Sequence, residues 1–203
     1  MKKYAVLHEP GDIVTLAGTR FVVLDVERRG SLPDSLFLLA LESVGTSEFG
    51  NSNNYAESDL KKAVDKWLED MDKRGLDNAK LIPREIDLTT LDGSGCYGKL
   101  SVKAAPLTLD EAREYADIIP NAERWCWLAT GWSGPSKSDG DLALYVVSDG
   151  GWDGYGCSSS GGIRPALKAP SILFEDSEAG LDLSKIPTDD LLQEIHRRLA
   201  EKA

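Results

Sequence analysis

Three cysteines, two histidines and a scatter of aspartates are the groups with which this 203-residue chain would perform covalent or metal chemistry. Their spacing favours neither. Cys96, Cys126 and Cys157 are odd in number and far apart, which makes neither a disulfide framework nor a zinc pattern. His8 and His196 lie near the two ends, so no Ser/His/Asp constellation is expected. Asp139, Asp141, Asp149 and Asp153 carry oxygens of the kind calcium takes, but a solvated acidic loop is the better reading of them. No metal and no cofactor are expected.

The residue types that do stand out are those of recognition. Four of the five tryptophans fall between Trp125 and Leu167: Trp125, Trp127, Trp132 and Trp152. Nine glycines share that segment, from Gly131 to Gly162. Glycine tolerates positive φ, so this density reads as turns and irregular loops. Aromatic, serine and aspartate side chains carried on loops suit binding better than core packing. Trp125 and Trp127 are two apart on a strand-like run, share a face and read as core. Trp132 and Trp152 sit on loops as anchors or ligand contacts. Tyr155 is the best single contact candidate, since tyrosine offers large area at low entropic cost.

Several elements must position these groups. Strands are expected at Ile13 to Ala17, Arg20 to Val26 and Leu36 to Leu41. The last is apolar throughout, so it reads as buried on both faces. Glu27 to Ser35 reads as a loop. From Ser58, a plausible N-cap, Leu60, Ala63, Val64, Trp67, Leu68 and Met71 draw one helical apolar stripe, with Gly75 as the stop. A short strand falls within Leu81 to Leu91 and a turn within Gly93 to Gly98. Thr108 to Glu111 spells a capping box for a second helix ending near Ala116. Strand-like runs follow at Trp125 to Ala129, Leu142 to Val147 and Gly161 to Leu167. Arg164, inside the last run, needs a carboxylate or loop carbonyls as partner if buried. Pro165 beside it marks a strand edge or end. Glu175 to Asp182 reads as a linker or surface strap. Pro187 to Asp190 opens a final helix with Leu191, Leu192, Ile195 and Leu199 as its stripe. The domain plan is therefore 1–170 as one domain, 171–186 as linker and 187–203 as C-terminal helix. The order does not alternate as a doubly wound fold would, so the fold class is α+β.

A net charge of −11 repels phosphate backbones and anionic lipid headgroups, which argues against nucleic acid and membrane partners. The first residues, Met1 to Asp12, hold two lysines but no apolar run, so no signal peptide is expected and synthesis is cytoplasmic. No stretch approaches a transmembrane length, so membrane insertion is not expected. A short helix is marginal alone, so the C-terminal one must bury its stripe. Self-association into a homo-oligomer and docking onto a partner are both open.

The ordered segments VTLAGTRFVVLDVE, LFLLALE, NYAESDLKKAVDKWLEDM, LTLDEA, WCWLATG, LYVVSDGG and GGIRPAL together resemble a bacterial and phage family of C-type-lectin-like domains. That family is related in fold to formylglycine-generating enzymes and to the variable proteins of diversity-generating retroelements. The resemblance runs from about Gly11 to Leu167. It implies a C-type-lectin-like fold in which the stretch before the closing Gly-Ile-Arg, here Ser148 to Ser160, forms an exposed binding surface. The candidate contacts are then Trp132, Ser148, Asp149, Trp152, Asp153, Tyr155, Cys157, Ser158 and Ser159, with Ser160 at the end of the stretch. In retroelement-diversified relatives this stretch is hypervariable. The implied function is a non-enzymatic binding module, a phage or prophage receptor-binding or accessory protein with a protein or glycan ligand. A structural virion or tail subunit assembling through its terminal helix, and so virion-associated, is an alternative. A formylglycine-generating-like oxidoreductase using Cys126 and Cys157 is another. The Glu-Pro-Asn and Trp-Asn-Asp motifs of sugar-binding C-type lectins are absent.

Overall fold

The computed structural model describes residues 8–30 and 32–174, with Thr188 and Leu192 beyond them. The linker from 175 and the helix expected from Pro187 lie outside these residues, Thr188 and Leu192 apart. The fold is α+β: over residues 8–30 and 32–174 it is built from mostly antiparallel sheets and two α-helices.

β1 (Ile13–Leu16) and β2 (Thr19–Arg29) meet at Ala17 and Gly18, whose φ values of 45° and 76° are both positive. Two left-handed residues give the tight hairpin whose twist matches the strands it joins. β2 runs three residues past the expected Val26 and pairs with β3 (Leu32–Ala40) out to Arg29. The loop expected over Glu27 to Ser35 is therefore mostly the end of a long hairpin, turning at Gly30 with φ 64°. Charged side chains at Glu27, Arg28 and Arg29 hide this extension, because a projecting hairpin tip has no buried face to pattern.

β4 (Thr46–Glu48) lies in a stretch that reads as irregular. α1 (Asp59–Lys73) starts where the sequence places it, with the Ser58 hydroxyl accepting from the Lys61 amide. It ends at Gly75, whose φ of 102° suits the left-handed residue after a helix. Leu60, Val64 and Met71 are fully buried, and Ala63, Trp67 and Leu68 pack against the same cluster.

β5 (Arg84–Asp87) pairs with β6 (Lys99–Val102) as a separate two-stranded ribbon across the Gly93 to Gly98 turn. β7 (Ala104–Ala105) joins the first sheet. α2 (Leu109–Glu114) carries the full capping box, Thr108 and Glu111 each accepting from the other's backbone.

β8 (Cys126–Gly131), β9 (Leu142–Val146) and β10 (Trp152–Gly156) form the aromatic part of the second sheet. The closing run Gly161 to Leu167 is not one strand. β11 (Ser160–Gly162) belongs to the second sheet, and β12 (Ala166–Pro170) belongs to the first. Ile163, Arg164 and Pro165 carry the chain from one to the other, so Pro165 stands between strands. The sheet orders are β1-β2-β3-β12-β7 and β10-β9-β8-β11-β4. Among the described residues only the β8–β11 pairing is parallel.

Alternate residues of both sheets enter two cores. Phe21, Val23, Leu36 and Leu38 join the larger one with α1, Trp127 and Ala143. Val22, Leu24, Leu39, Leu128 and Leu144 join the smaller one with Leu107 and Leu109. Burial on both faces is why Leu36 to Leu41 shows no polar alternation. Beyond β12, Ser171–Phe174 forms a 3-10 turn that buries Phe174. The packed body thus continues past 170, where a linker is expected. No helix among the described residues is long and apolar enough to cross a membrane.

Candidate functional site

Ser148 to Ser160 is not a loop but a hairpin arm with a turn at each end. β10 pairs with β9 through Trp152↔Val146, Asp153↔Tyr145, Gly154↔Leu144 and Tyr155↔Ala143, and it is the edge of its sheet. The turn from Val147 to Gly151 is closed by the Val147 amide on the Gly151 carbonyl at 2.8 Å. Ser148 and Asp149 occupy this turn, whereas Ser158 and Ser159 lie past the other end of β10.

A strand sends successive side chains to opposite faces. Trp152 and Gly154 therefore share one face with Leu144 and Val146, on the side of the smaller core. Asp153 and Tyr155 share the other with Tyr145. The recognition residues expected on one surface are divided between two. The error has a physical cause, since Gly154 and Gly156 suppress the strand pattern and read as loop. Gly154 is glycine because a Cβ there would stand 2.3 Å from the Trp132 ring. Trp132 is a half-buried support beneath the strand, packed against the smaller core.

The second face is aromatic. Tyr155 is 51% exposed. Its ring lies 5.9 Å from Tyr145 and 5.7 Å from Trp125, and Trp125 stands 5.1 Å from Tyr145. Trp125 and Tyr145 are half-buried. Below them lies Trp127, 1% exposed, its indole N–H donating to the Ser47 carbonyl at 3.0 Å. Edge-to-face contacts of this kind add about 0.5–1.5 kcal/mol per pair beyond burial. The patch is thus a stacked, rigid surface with one ring projecting from it. Asp153 stands beside Tyr155 and is exposed, its carboxylate accepting from the Gly154 amide at 2.7 Å. Tyr145 was a signal the sequence offered and the site assignment missed: it sits mid-strand among apolar residues.

Trp152, 42% exposed, turns instead toward α2. The Arg113 guanidinium sits over its ring at 5.1 Å from the centroid, a cation–π contact. Behind this pair opens a cavity of about 440 Å³ between α2, the Ile119 to Ala122 segment, β8, β9 and the Asp149 to Gly151 turn.

Cys157 is corrected from contact to core. It is buried, and its thiol is pushed up to about 12 by burial and, secondarily, by the Asp141 carboxylate. Cys126 is buried beside Gly162, where a Cβ would meet its sulfur at 2.7 Å. Burial raises its thiol too, against the opposing pull of Arg164 and Arg124. Both thiols stay protonated at neutral pH, and only the thiolate is nucleophilic. Alkylation of the native protein is expected to modify one cysteine rapidly, the exposed Cys96, and all three only after unfolding. Mass spectrometry checks the count; rapid native modification of Cys126 or Cys157 would contradict this placement.

Arg164, 6% exposed, finds carbonyls rather than a carboxylate. Its Nε donates to the Ala40 carbonyl at 2.7 Å and its Nη1 to the Pro120 carbonyl at 3.0 Å. Asp139, Asp141, Asp149 and Asp153 are all exposed. Among the described residues no group of three or more His, Cys, Asp or Glu side chains is arranged to hold a metal ion.

No family model matches the chain, and neither a curated protein nor a solved structure matches it.

Proposed function

We propose that the protein is a non-enzymatic binding module of C-type-lectin-like fold, phage or mobile-element encoded, that grips a glycan or protein surface through the aromatic face of β10. The observation that carries this reading is the projecting Tyr155 ring on the half-buried pair of Tyr145 and Trp125. Large rings already fixed by packing lose little entropy on binding, which is what a recognition anchor requires. The apolar flank of a sugar ring or of a peptide side chain stacks on such a surface, and Asp153 accepts hydrogen bonds beside it. The resemblance of the ordered sequence segments supplies the fold name and the phage association. If the stretch is diversified, the free positions are the exposed ones, among them Ser148, Asp149, Trp152, Asp153, Tyr155, Ser158 and Ser160, while Cys157 is held by the core.

The test is a screen of wild type and the double variant Asp153→Ala/Tyr155→Ala against immobilised glycans and bacterial surface proteins. Wild type is expected to give saturable hits that the double variant loses, while both melt at the same temperature. Hits retained by the double variant would defeat the assignment, and so would an absence of any hit for wild type.

A further inference from the structure

Arg164 is a buried cation with no carboxylate partner among the described residues. Its two hydrogen-bond partners are neutral carbonyls, and its third nitrogen, Nη2, has no hydrogen-bond partner among the described residues. A buried charge left without an opposite charge is costly, and an unsatisfied buried donor adds to that cost. Arg164 also lines the 440 Å³ cavity, whose apolar walls include Leu39, Leu107, Ala112 and Leu128 from the smaller core and α2. That volume falls within the range of small-ligand sites, which combine apolar walls with a few placed polar groups.

We infer that this cavity is a binding site for a small monocarboxylic acid with an apolar body, its carboxylate compensating the charge of Arg164, which lines the cavity. The chemistry of the lining selects this class. Arg164, a buried cation whose hydrogen-bond partners are neutral carbonyls, is one charge on the lining and suits one carboxylate. Asp149 beside the cavity repels ligands of higher negative charge. The Arg113–Trp152 pair adds a ring and a second cation at the edge. This site lies on the opposite face of β10 from Tyr155, so it is independent of the aromatic recognition face.

Calorimetric titration of the full-length protein with 3-phenylpropionate and octanoate tests this, with 3-phenylpropionamide as the uncharged control. Wild type is expected to bind at least one acid saturably, and 3-phenylpropionate about tenfold or more tighter than the amide, because a charge-assisted bond is lost in the control. Arg164→Met should abolish that preference. Since this variant also releases the Ala40 and Pro120 carbonyls, a second variant keeps the test decisive if it fails to fold. Ala116→Trp fills the cavity from an exposed position and should abolish acid binding with an unchanged melting temperature. Asp153→Ala/Tyr155→Ala should bind the acids as wild type does, so the two sites fail separately. No saturable binding of either acid up to about 10 mM would overturn the proposal. Equal affinity for acid and amide, or full binding by Ala116→Trp, would overturn it as well.

Discussion

Replacing Trp127 with alanine is expected to destabilise the fold by about 3–5 kcal/mol, the range for a fully buried large aromatic. The side chain closes against Phe49 at 5.5 Å, Trp125 at 5.0 Å and Tyr145 at 6.5 Å, all edge-to-face. Its indole N–H ties β8 to β4 across the intervening β11. Gly161 of β11 makes room for this crossing, since a Cβ there would meet the Trp125 ring at 2.2 Å and the Trp127 nitrogen at 2.6 Å. Removal therefore opens a cavity, leaves the Ser47 carbonyl without its donor, and takes away the floor beneath Trp125 and Tyr145. Trp127→Phe keeps most of the ring volume and loses the hydrogen bond, so about 1–3 kcal/mol is expected. Urea denaturation of the three proteins measures both differences. A loss below about 1 kcal/mol for Trp127→Ala would contradict this packing.

Asn53→Asp is expected to be the most disruptive near-isosteric change, costing about 3–5 kcal/mol. Asn53 is 1% exposed. Its amide nitrogen donates to the Ser133 carbonyl at 2.8 Å and the Leu142 carbonyl at 3.0 Å, and its oxygen accepts from the Tyr97 hydroxyl at 2.6 Å. One side chain thereby pins both ends of the 133–142 loop and the turn before β6 to the region ahead of α1. Gly131 lets it approach, because a Cβ there would lie 2.9 Å from the Asn53 amide. A carboxylate in that place faces two carbonyls with no proton to offer and buries a charge with no cation among its hydrogen-bond partners. Asn53→Ala should cost less, about 2–4 kcal/mol, since it orphans the same groups without adding the charge. Denaturation midpoints at neutral pH should rank wild type first, alanine second and aspartate last. An aspartate variant as stable as the alanine one would mean that the charge escapes to solvent and that Asn53 is not the pin described.

What the sequence showed depended on how local each cause is. α1, its Ser58 cap and its Gly75 stop are legible because all their partners lie within one helix. The capping box of α2 is legible for the same reason. Leu36 to Leu41 is legible because burial on two faces writes an unbroken apolar run. β4 and β11 are not, because Thr46–Glu48 pairs with Ser160–Gly162 across more than a hundred residues and Ser160–Gly162 pairs in turn with β8. Asn53 looks like one polar residue in a polar stretch, and nothing local says that it meets Ser133 and Leu142. The aromatic face was half legible. Tyr155 and Trp152 are both exposed. The strand parity that separates them was masked by Gly154 and Gly156, and the reason for Gly154 lies in Trp132 and so in tertiary packing. Cys157 shows the same limit, since it sits among serines in sequence and among core residues in space. Arg164 was legible as a buried cation needing partners, but Ala40 and Pro120 as those partners were not.

The central claim is that Tyr155, backed by Tyr145 and Trp125, is the surface that touches the ligand. Aromatic carbon–proton NMR spectra of the protein, recorded with and without a ligand from the binding screen, address it side chain by side chain. The account predicts shifts at Tyr155, Tyr145 and Trp125, with Trp67 and Phe21 unmoved. Shifts confined to other rings, or a bound ligand that leaves Tyr155 untouched, would contradict it.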